Sequence, residues 1–263
     1  ESQSDRDLVV DRSDPSIAVV TINRPTRRNA MKLAMWQEMG RIFDELSREP
    51  ELRAVILTGA GGAFCAGADI SEFSEVRATV EDGRAYEAAG DLCQTAISSC
   101  SKATIAAISG PCFGGGVGLA LSCDFRFADP TAYFGIPAAR LSNVYGVVET
   151  RALYDAVGLA VAKEVLFTGR RYTAEEARAV GMATHLASDN ALAAARAFAE
   201  ALKLCAPLTI KGAKTVLDAI ARNETAEREA AIQAVADEAM ASEDYKEGVA
   251  AFAEKRDPRF RGV

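Results

Sequence analysis

The first 130 residues alternate short apolar runs, rich in β-branched residues, with longer amphipathic stretches. The apolar runs are Ile17–Ile22, Ala54–Thr58 and Thr104–Ser109, and the amphipathic stretches Ala34–Arg48 and Arg84–Ser99 lie between them. Short, continuously apolar runs are typical of strands buried on both faces, and amphipathic stretches are typical of helices that cover a sheet. The alternation therefore predicts βαβ units and a largely parallel sheet, which is the α/β class.

Beyond about residue 150 the pattern becomes helical. Apolar residues recur at three-to-four spacing, which predicts helices over Leu153–Thr168, Ala174–Val180, Ala191–Cys205, Leu208–Ile220 and Thr225–Met240. We therefore predict an α/β core over residues 1–195 and a C-terminal helical subdomain over 196–263. The second unit is rich in alanine and suited to packing between subunits.

Net charge argues against a nucleic-acid partner, and the lengths of the apolar runs argue against a membrane partner. Thirty basic and 37 acidic residues leave a net charge of −7, so the chain offers nucleic acid no broad basic surface. No apolar run approaches the roughly 20 residues that span a bilayer, and the polar start Glu1–Asp5 lacks the apolar region of a signal peptide. We expect a cytoplasmic protein with no nucleic-acid or membrane partner.

The cysteines and the single histidine restrict the chemistry further. The six cysteines include no Cys-x-x-Cys pair, so we predict reduced thiols that mostly serve packing. His185, the only histidine, lies in a strand-like stretch and is predicted to be structural. A Ser-His-Asp triad or a multi-histidine metal site has little to build on, and we expect no metal.

Two loops of small residues follow two of the predicted strands. The first continues from Gly59 through Gly62 to Ile70, and the second runs from Gly110 to Gly116. Both leave the carboxyl ends of strands, where open α/β sheets bind ligands, and glycines expose backbone N–H groups there. Either loop could be only a tight turn, but together they could hold the oxyanion of a thioester enolate.

A series of short segments, spread in order along the chain, forms a recognisable pattern. The segments are Asn23-Arg24-Pro25, Leu57-Thr58-Gly59, Phe64-Cys65-Ala66-Gly67-Ala68-Asp69, Gly114-Gly115-Gly116, Cys123-Asp124, Phe134-Gly135-Ile136-Pro137, Leu166-Phe167-Thr168-Gly169 and Glu247-Gly248. By these segments the sequence resembles the enoyl-coenzyme A (CoA) hydratase/isomerase, or crotonase, family along nearly its whole length. The resemblance implies the crotonase (ClpP-like) fold, with repeated ββα units that form a spiral core and a helical C-terminal trimerisation subdomain.

By this resemblance, the N–H groups of Ala68 and Gly115 are the oxyanion-hole donors. A CoA thioester is implied as substrate or ligand, in fatty acid metabolism, with no permanently bound cofactor. The implied assembly is a homotrimer, or a hexamer made of two trimers. The positions implied to contact CoA are Arg27, Arg28, Ala66, Ala68, Asp69, Ile70, Phe252 and Lys255.

The resemblance assigns these positions to different parts of the CoA molecule. The backbone around Ala66, Ala68 and Ile70 matches the segment that lies along the adenine and pantetheine. Phe252 and Lys255 match C-terminal residues that approach the nucleotide, often across a subunit boundary. The resemblance places Arg27 and Arg28 near the 3′-phosphate of CoA. The alternative is a solvated basic turn that contacts no phosphate.

Two departures from the family pattern affect the chemistry. The family's hydratases carry one glutamate at the position of Gly118 and another at that of Ala138, and neither residue present here can move a proton. A missing acid–base group costs about 10² to 10⁴ in rate. Hydration by that pair of glutamates is therefore excluded, and another group must substitute if the protein is a hydratase.

Two residues further along are candidates for that role. Tyr145 stands where other branches of the family place an aspartate or tyrosine, and it resembles the pattern of methylmalonyl-CoA decarboxylases. Glu149 is four residues on and shares a helical face with it if a helix starts there. The alternatives are a pocket wall for Tyr145 and a surface carboxylate for Glu149.

Three functions remain open from the sequence. The first is an enoyl-CoA hydratase/isomerase-type enzyme, a lyase or isomerase with relocated acid–base groups. The second is decarboxylation of a malonyl-type thioester with Tyr145, and the third is a non-catalytic acyl-CoA binder. The length of the acyl group depends on Ser71–Gly90, which is predicted to be an irregular, mobile and solvated flap.

Overall fold

The computed structural model describes residues 6–263, so the polar start Glu1–Asp5 lies outside the described residues. The strands are β1 (Leu8–Asp14), β2 (Ile17–Ile22), β3 (Ala54–Gly59), β4 (Ala103–Ile108), β5 (Pro111–Phe113), β6 (Phe125–Ala128), β7 (Tyr133–Gly135), β8 (Tyr172–Thr173) and β9 (His185–Leu186). The helices are α1 (Leu33–Arg48), α2 (Phe73–Val76), α3 (Val80–Ser98), α4 (Gly115–Ser122), α5 (Val147–Thr168), α6 (Ala174–Val180), α7 (Ala191–Leu202), α8 (Pro207–Arg222), α9 (Glu229–Ala241) and α10 (Glu243–Glu254).

The main sheet has six strands in the order β1-β2-β3-β4-β6-β9. Each neighbouring pair is parallel except the β1–β2 hairpin at the edge. The prediction of a largely parallel α/β sheet is thus confirmed. A smaller sheet, β5-β7-β8, branches off after β4 and carries the second glycine loop.

Helices cover both faces of the main sheet. Side chains alternate between the faces along each strand, so Val20 packs on one side and Val19 on the other. The first face is covered chiefly by α1 and α3, whereas the second receives the alanines of α7. A boundary at residue 195 would cut α7, so we propose that the separate C-terminal unit comprises α8 to α10.

Several helices differ in extent from the prediction. Helix α5 starts six residues before the predicted Leu153, with Gly146 as its N-cap, and it contains a kink at Gly158. Helix α9 starts at Glu229, four residues after the predicted start. The prediction that Ser71–Gly90 is irregular is wrong, because α2 and most of α3 occupy it. Thr79 and Asp82 form a capping box that fixes the start of α3. The charged residues of the first turns of α3 had instead suggested a solvated loop.

The histidine and cysteines occupy structural positions. The ring of His185 stacks on that of Phe127, with centroids 4.3 Å apart, and burial lowers the pKa of the imidazole. All six cysteines are free, and all but Cys205 are buried. Over residues 6–263 we find no cluster of three or more potential metal ligands, and none of the helices in that range is long and apolar enough to cross a membrane.

Candidate functional site

The first small-residue loop runs alongside the second and is fixed to it by backbone hydrogen bonds. The N–H of Cys65 donates to the carbonyl of Pro111 (2.9 Å), and the N–H of Phe113 donates to the carbonyl of Cys65 (2.9 Å). On its other side the first loop is held by Met31, which exchanges hydrogen bonds with the backbone on either side of Ala68. The loop ends at Asp69, which caps a short 3-10 helix over Ile70–Glu72 that leads directly into α2.

The two loops also lie close together at Gly67 and Gly115. Gly67 has a φ of +94°, and a Cβ atom there would lie 2.8 Å from the carbonyl oxygen of Phe113 and 3.4 Å from the amide nitrogen of Gly115. Only glycine permits this approach. The amide nitrogens at the start of α4 are therefore brought beside the first loop.

Two amides at this junction have no backbone partner. Ala66, Asp69 and Gly114 donate their N–H groups to backbone oxygens, whereas we find no hydrogen bond from the N–H of Ala68 or Gly115 to any residue in 6–263. Gly115 is the first residue of α4, where an intrahelical acceptor does not exist. Both residues are partly accessible, and both line the same cavity. The geometry offers two unpaired donors to a ligand, and the field of the α4 N-terminus reinforces the donor at Gly115.

The cavity beside these amides has a volume of about 710 Å³. Its wall combines the two loops with the middle of α3 and the segment before α5. The lining residues are Arg28, Trp36, Ala66, Gly67, Ala68, Ile70, Phe73, Arg77, Tyr86, Glu87, Gly90, Pro111, Phe113, Gly114, Gly115, Tyr133, Pro137, Leu141, Ser142, Asn143, Val144, Tyr145, Glu149 and Arg171.

Tyr145 and Glu149 both lie in this wall. Tyr145 precedes α5 and Glu149 lies in its first turn, so they do not share a regular helix. The hydroxyl of Tyr145 contacts the glycine loop, since a Cβ atom on Gly114 would lie 3.2 Å from that oxygen. The structure thus brings both sequence candidates to the side of the cavity that holds the loop amides.

Burial changes the acid–base properties of both groups. Desolvation, reinforced by the nearby carboxyls of Asp91 and Glu87, raises the pKa of Glu149 to about 7, although a hydrogen bond from Gln94 opposes the shift. The pKa of Tyr145 is also raised by burial and by the proximity of Glu149. Glu149 is therefore poised to take up or release a proton near neutral pH, whereas Tyr145 stays a neutral hydrogen-bond donor.

Aromatic residues that sequence reasoning missed complete the wall. The indole Nε1–H of Trp36 donates to the hydroxyl oxygen of Tyr86 (2.9 Å), which leaves the Tyr86 proton available to the cavity. The guanidinium of Arg77 lies over the rings of Phe73 and Tyr86 and pairs with Glu87 at 2.9 Å. These side chains come from α1 to α3, and no motif in the sequence connects them to the glycine loops.

The Enoyl-CoA hydratase/isomerase family model matches residues 12–263 of this chain. The chain belongs to this family. It is 35% identical over 253 residues to the short-chain-enoyl-CoA hydratase of Clostridium acetobutylicum, covering 94% of this chain and 95% of the relative. It is 31% identical over 276 residues to a peroxisomal Delta(3,5)-Delta(2,4)-dienoyl-CoA isomerase of Arabidopsis thaliana, covering 99% and 98%.

Solved structures agree with the family assignment. The crystal structure of an enoyl-CoA hydratase/isomerase family protein from Hyphomonas neptunium superposes with a TM-score of 0.92, at 34% identity and with 100% of both chains covered. The crotonase fold implied by the sequence resemblance is thereby confirmed. As a member of this family, the protein belongs among the crotonase-type proteins that act on CoA thioesters.

The positions of the two absent glutamates are buried and lie outside the cavity lining. Ala138 is 5% exposed, and Gly118 is enclosed within α4. A Cβ atom on Gly118 would lie 2.9 Å from Oε1 of Gln94, whose side chain comes from α3 and occupies the adjoining space. Gln94 also donates a hydrogen bond to Glu149 at 3.2 Å. In this member of the family, the side-chain amide of Gln94 occupies the space beside position 118.

The predicted CoA contacts divide into two groups. Arg28, Ala66, Ala68 and Ile70 line the cavity, whereas Arg27, Asp69, Phe252 and Lys255 do not. The carboxylate of Asp69 accepts hydrogen bonds from Ser71 and lies 2.9 Å from the Arg24 guanidinium, and these contacts together hold the pKa of Asp69 below its usual value. Its side chain thus anchors the loop rather than forming the cavity wall.

The two C-terminal residues lie elsewhere on the chain. Phe252 is 88% exposed and borders a separate surface pocket beside Tyr245 and Phe260, and Lys255 ends α10 with a left-handed backbone. Neither residue lines the cavity of its own chain.

Proposed function

We propose that the protein is an enoyl-CoA hydratase/isomerase-type enzyme that shifts a proton on an acyl-CoA thioester. The observation that carries this proposal is the location of the Glu149 carboxyl, which lines one cavity with the unpaired amides of Ala68 and Gly115. Burial raises its pKa to about 7. Such a group can accept a proton and return it at neutral pH.

The two amides would bind the thioester oxygen. Removal of a proton next to the thioester carbonyl moves negative charge onto that oxygen, and preorganised N–H donors stabilise charge that develops in the transition state. The N–H groups of Ala68 and Gly115 are suited to this role because both are free, neighbouring and partly accessible.

The preferred reaction is isomerisation of a 3-enoyl-CoA. The Glu149 carboxylate takes a proton from C2, and the electron pair moves into a dienolate on the thioester oxygen. The resulting carboxylic acid then gives its proton to C4, and the double bond moves from C3–C4 to C2–C3. One carboxyl performs both steps, which suits a cavity whose lining offers one carboxyl with a strongly raised pKa. Hydration also needs a positioned water and is the slower reaction expected here.

The CoA portion would enter along the first loop. Arg28 lines the cavity mouth and supplies positive charge for a phosphate, while Ala66 and Ile70 border the path toward the amides. Phe252 and Lys255 would complete the nucleotide site from a neighbouring copy in a trimer or hexamer. The exposed apolar side chains of Leu217, Ile220 and Phe252 on the C-terminal helices support such an assembly.

A second reaction is favoured by the contact between the Tyr145 hydroxyl and the glycine loop. In a malonyl-type thioester the bond between C2 and the carboxylate breaks, carbon dioxide leaves, and the electron pair forms an enolate to which Tyr145 can donate a hydrogen bond. C2 then takes up a proton from water. This reaction ranks second, because an ionised Glu149 beside Tyr145 would repel the substrate carboxylate.

The proposal is tested with 3-hexenoyl-CoA, crotonyl-CoA and methylmalonyl-CoA, each followed by mass spectrometry of the products. Formation of 2-hexenoyl-CoA that is lost in Glu149→Gln is the expected result. Carbon dioxide release that is lost in Tyr145→Phe but kept in Glu149→Gln would favour decarboxylation instead. Binding of all three thioesters without any product would identify a non-catalytic acyl-CoA binder.

A further inference from the structure

Gln94 is a buried amide on the inner face of α3. Its side chain is 1% exposed and lies between Cys93 and Ile97 in an otherwise apolar helix face. Burying an amide without hydrogen bonds is costly, so a glutamine at such a position needs a partner. The Nε2 group has one, because it donates to Oε1 of Glu149 at 3.2 Å.

The other half of the amide is unpaired. Within the described chain, Oε1 of Gln94 is buried and accepts no hydrogen bond. The amide packs against Gly118, where an added Cβ atom would lie 2.9 Å from Oε1 and 3.1 Å from Nε2. Buried polar atoms are rarely left without a partner, and this one lies on the amide that binds Glu149.

We propose that Gln94 is a positioning residue that holds the Glu149 carboxyl in both of its protonation states. The amide donates through Nε2 to the carboxylate and, after a half-turn, accepts through Oε1 from the carboxylic acid. An amide carries a donor and an acceptor at two ends of one plane, whereas a carboxylate only accepts and a carboxylic acid also donates. This inference rests on the proposed role of Glu149 as the proton carrier.

A neutral side chain at position 94 is compatible with an exchangeable proton on Glu149. The titratable and charged groups near it are Glu87 and Asp91 on α3, Arg77 before α3, and Tyr145 on its own segment. A cationic partner in place of Gln94 would stabilise only the carboxylate and would hold the pKa low. The neutral amide restrains the carboxyl while leaving its proton free to be exchanged.

Gln94→Met tests the inference, because it keeps the length of the side chain and removes both hydrogen-bonding atoms. The probe is the infrared band of the protonated Glu149 carboxyl in the ligand-free protein, assigned by its loss in Glu149→Gln and followed with pH. We expect the titration midpoint to rise by about one unit, because the charge-assisted hydrogen bond to the carboxylate is roughly twice as strong as the bond to the carboxylic acid, so the loss of both disfavours the ionised state. We also expect kcat to fall about tenfold, with little change in KM.

Gln37→Met, at an exposed position of α1, is the matched control and should leave the midpoint and kcat unchanged. Gln94→Leu also lacks both hydrogen-bonding atoms and predicts the same rise in the Glu149 midpoint, so it serves if Gln94→Met does not fold. An unchanged midpoint in the folded variant would overturn the positioning role. The titration needs no turnover, so it decides the role of Gln94 even if the wild-type protein converts no thioester.

Discussion

The indole ring of Trp36 lies directly behind Gly115. A Cβ atom added to this glycine would be 2.9 Å from Cη2 and 3.1 Å from Cζ2 of the ring. Trp36 is itself fixed by the hydrogen bond that its Nε1–H donates to Tyr86. The position of the Gly115 amide therefore depends on a rigid aromatic support from α1, and any larger residue at 115 must displace the loop or the ring.

Gly115→Ala is expected to reduce kcat by about 10² to 10³, the cost typical of losing one oxyanion donor. Overpacking against Trp36 should also lower the free energy of unfolding by about 1 to 3 kcal/mol. Turnover and urea denaturation measure the two effects. The control is Gly212→Ala on α8, where a Cβ atom meets Val235 at an ordinary 3.8 Å and should stabilise the helix slightly. Full activity in Gly115→Ala would argue against the oxyanion role.

Glu149→Gln is expected to reduce kcat/KM by about 10² to 10⁴, because the amide cannot accept a proton from C2. In the wild type, Glu149 must be ionised to act as the base, so kcat/KM should rise with pH, with its midpoint near the pKa of about 7, and level off above it. The exposed Glu45→Gln on α1 provides the comparison. A flat profile from pH 5 to 9 would assign the proton transfer to another group.

Glu149 should also affect stability in a pH-dependent way. Its pKa in the folded state is raised from an ordinary 4.5 to about 7, so its contribution is fully present below pH 4.5 and is lost as the pH rises through 7. Glu149→Gln should therefore be more stable than the wild type at pH 8, by on the order of 3 kcal/mol at most, with little of that difference left at pH 5. Urea unfolding of both proteins at the two pH values measures this, and an equal difference at both would show that the carboxyl is not desolvated in the fold.

Gly118→Glu alone should fold poorly, although it restores a glutamate found in the family's hydratases. The space for its side chain is occupied by Gln94, and the clash should lower the free energy of unfolding by about 1 to 3 kcal/mol. Combining it with Gln94→Ala removes the obstacle and should recover most of that loss. Urea denaturation of the single and double variants measures the coupling, and additive effects would mean that the two side chains do not compete for the same space.

The sequence predicted the sheet well for a physical reason. Strands β2 and β3 are buried on both faces and read as uninterrupted apolar runs, and the glycine loops after β3 and β4 follow from that pattern. The edge strand β1 was missed, because its charged residues interrupt the apolar run. Helix α3 was only partly recognised for the same reason, since its first turns are exposed and acidic.

The site was predictable where its residues come from the two loops or, as with Tyr145 and Glu149, from the segment after the Phe-Gly-x-Pro run. The two loops could be identified because glycine-rich loops at neighbouring strand ends converge in a parallel sheet, and the family resemblance then singled out Ala68 and Gly115 within them. Gln94 and Trp36 could not, since each is a single side chain on a helix whose contact with the loops depends on tertiary packing. A polar residue at a buried position of an amphipathic helix, as at Gln94, is the one signal that could have drawn attention to it.

The most direct test of the account is deuterium exchange on 3-hexenoyl-CoA in D₂O, followed by mass spectrometry of the recovered thioester. Proton removal by Glu149 and stabilisation of the enolate by Ala68 and Gly115 predict formation of 2-hexenoyl-CoA, with deuterium incorporated whenever Glu149 exchanges its proton with the solvent before returning it, and both rates reduced at least 100-fold in Glu149→Gln. A bound thioester that neither isomerises nor acquires deuterium during hours of incubation would contradict the account.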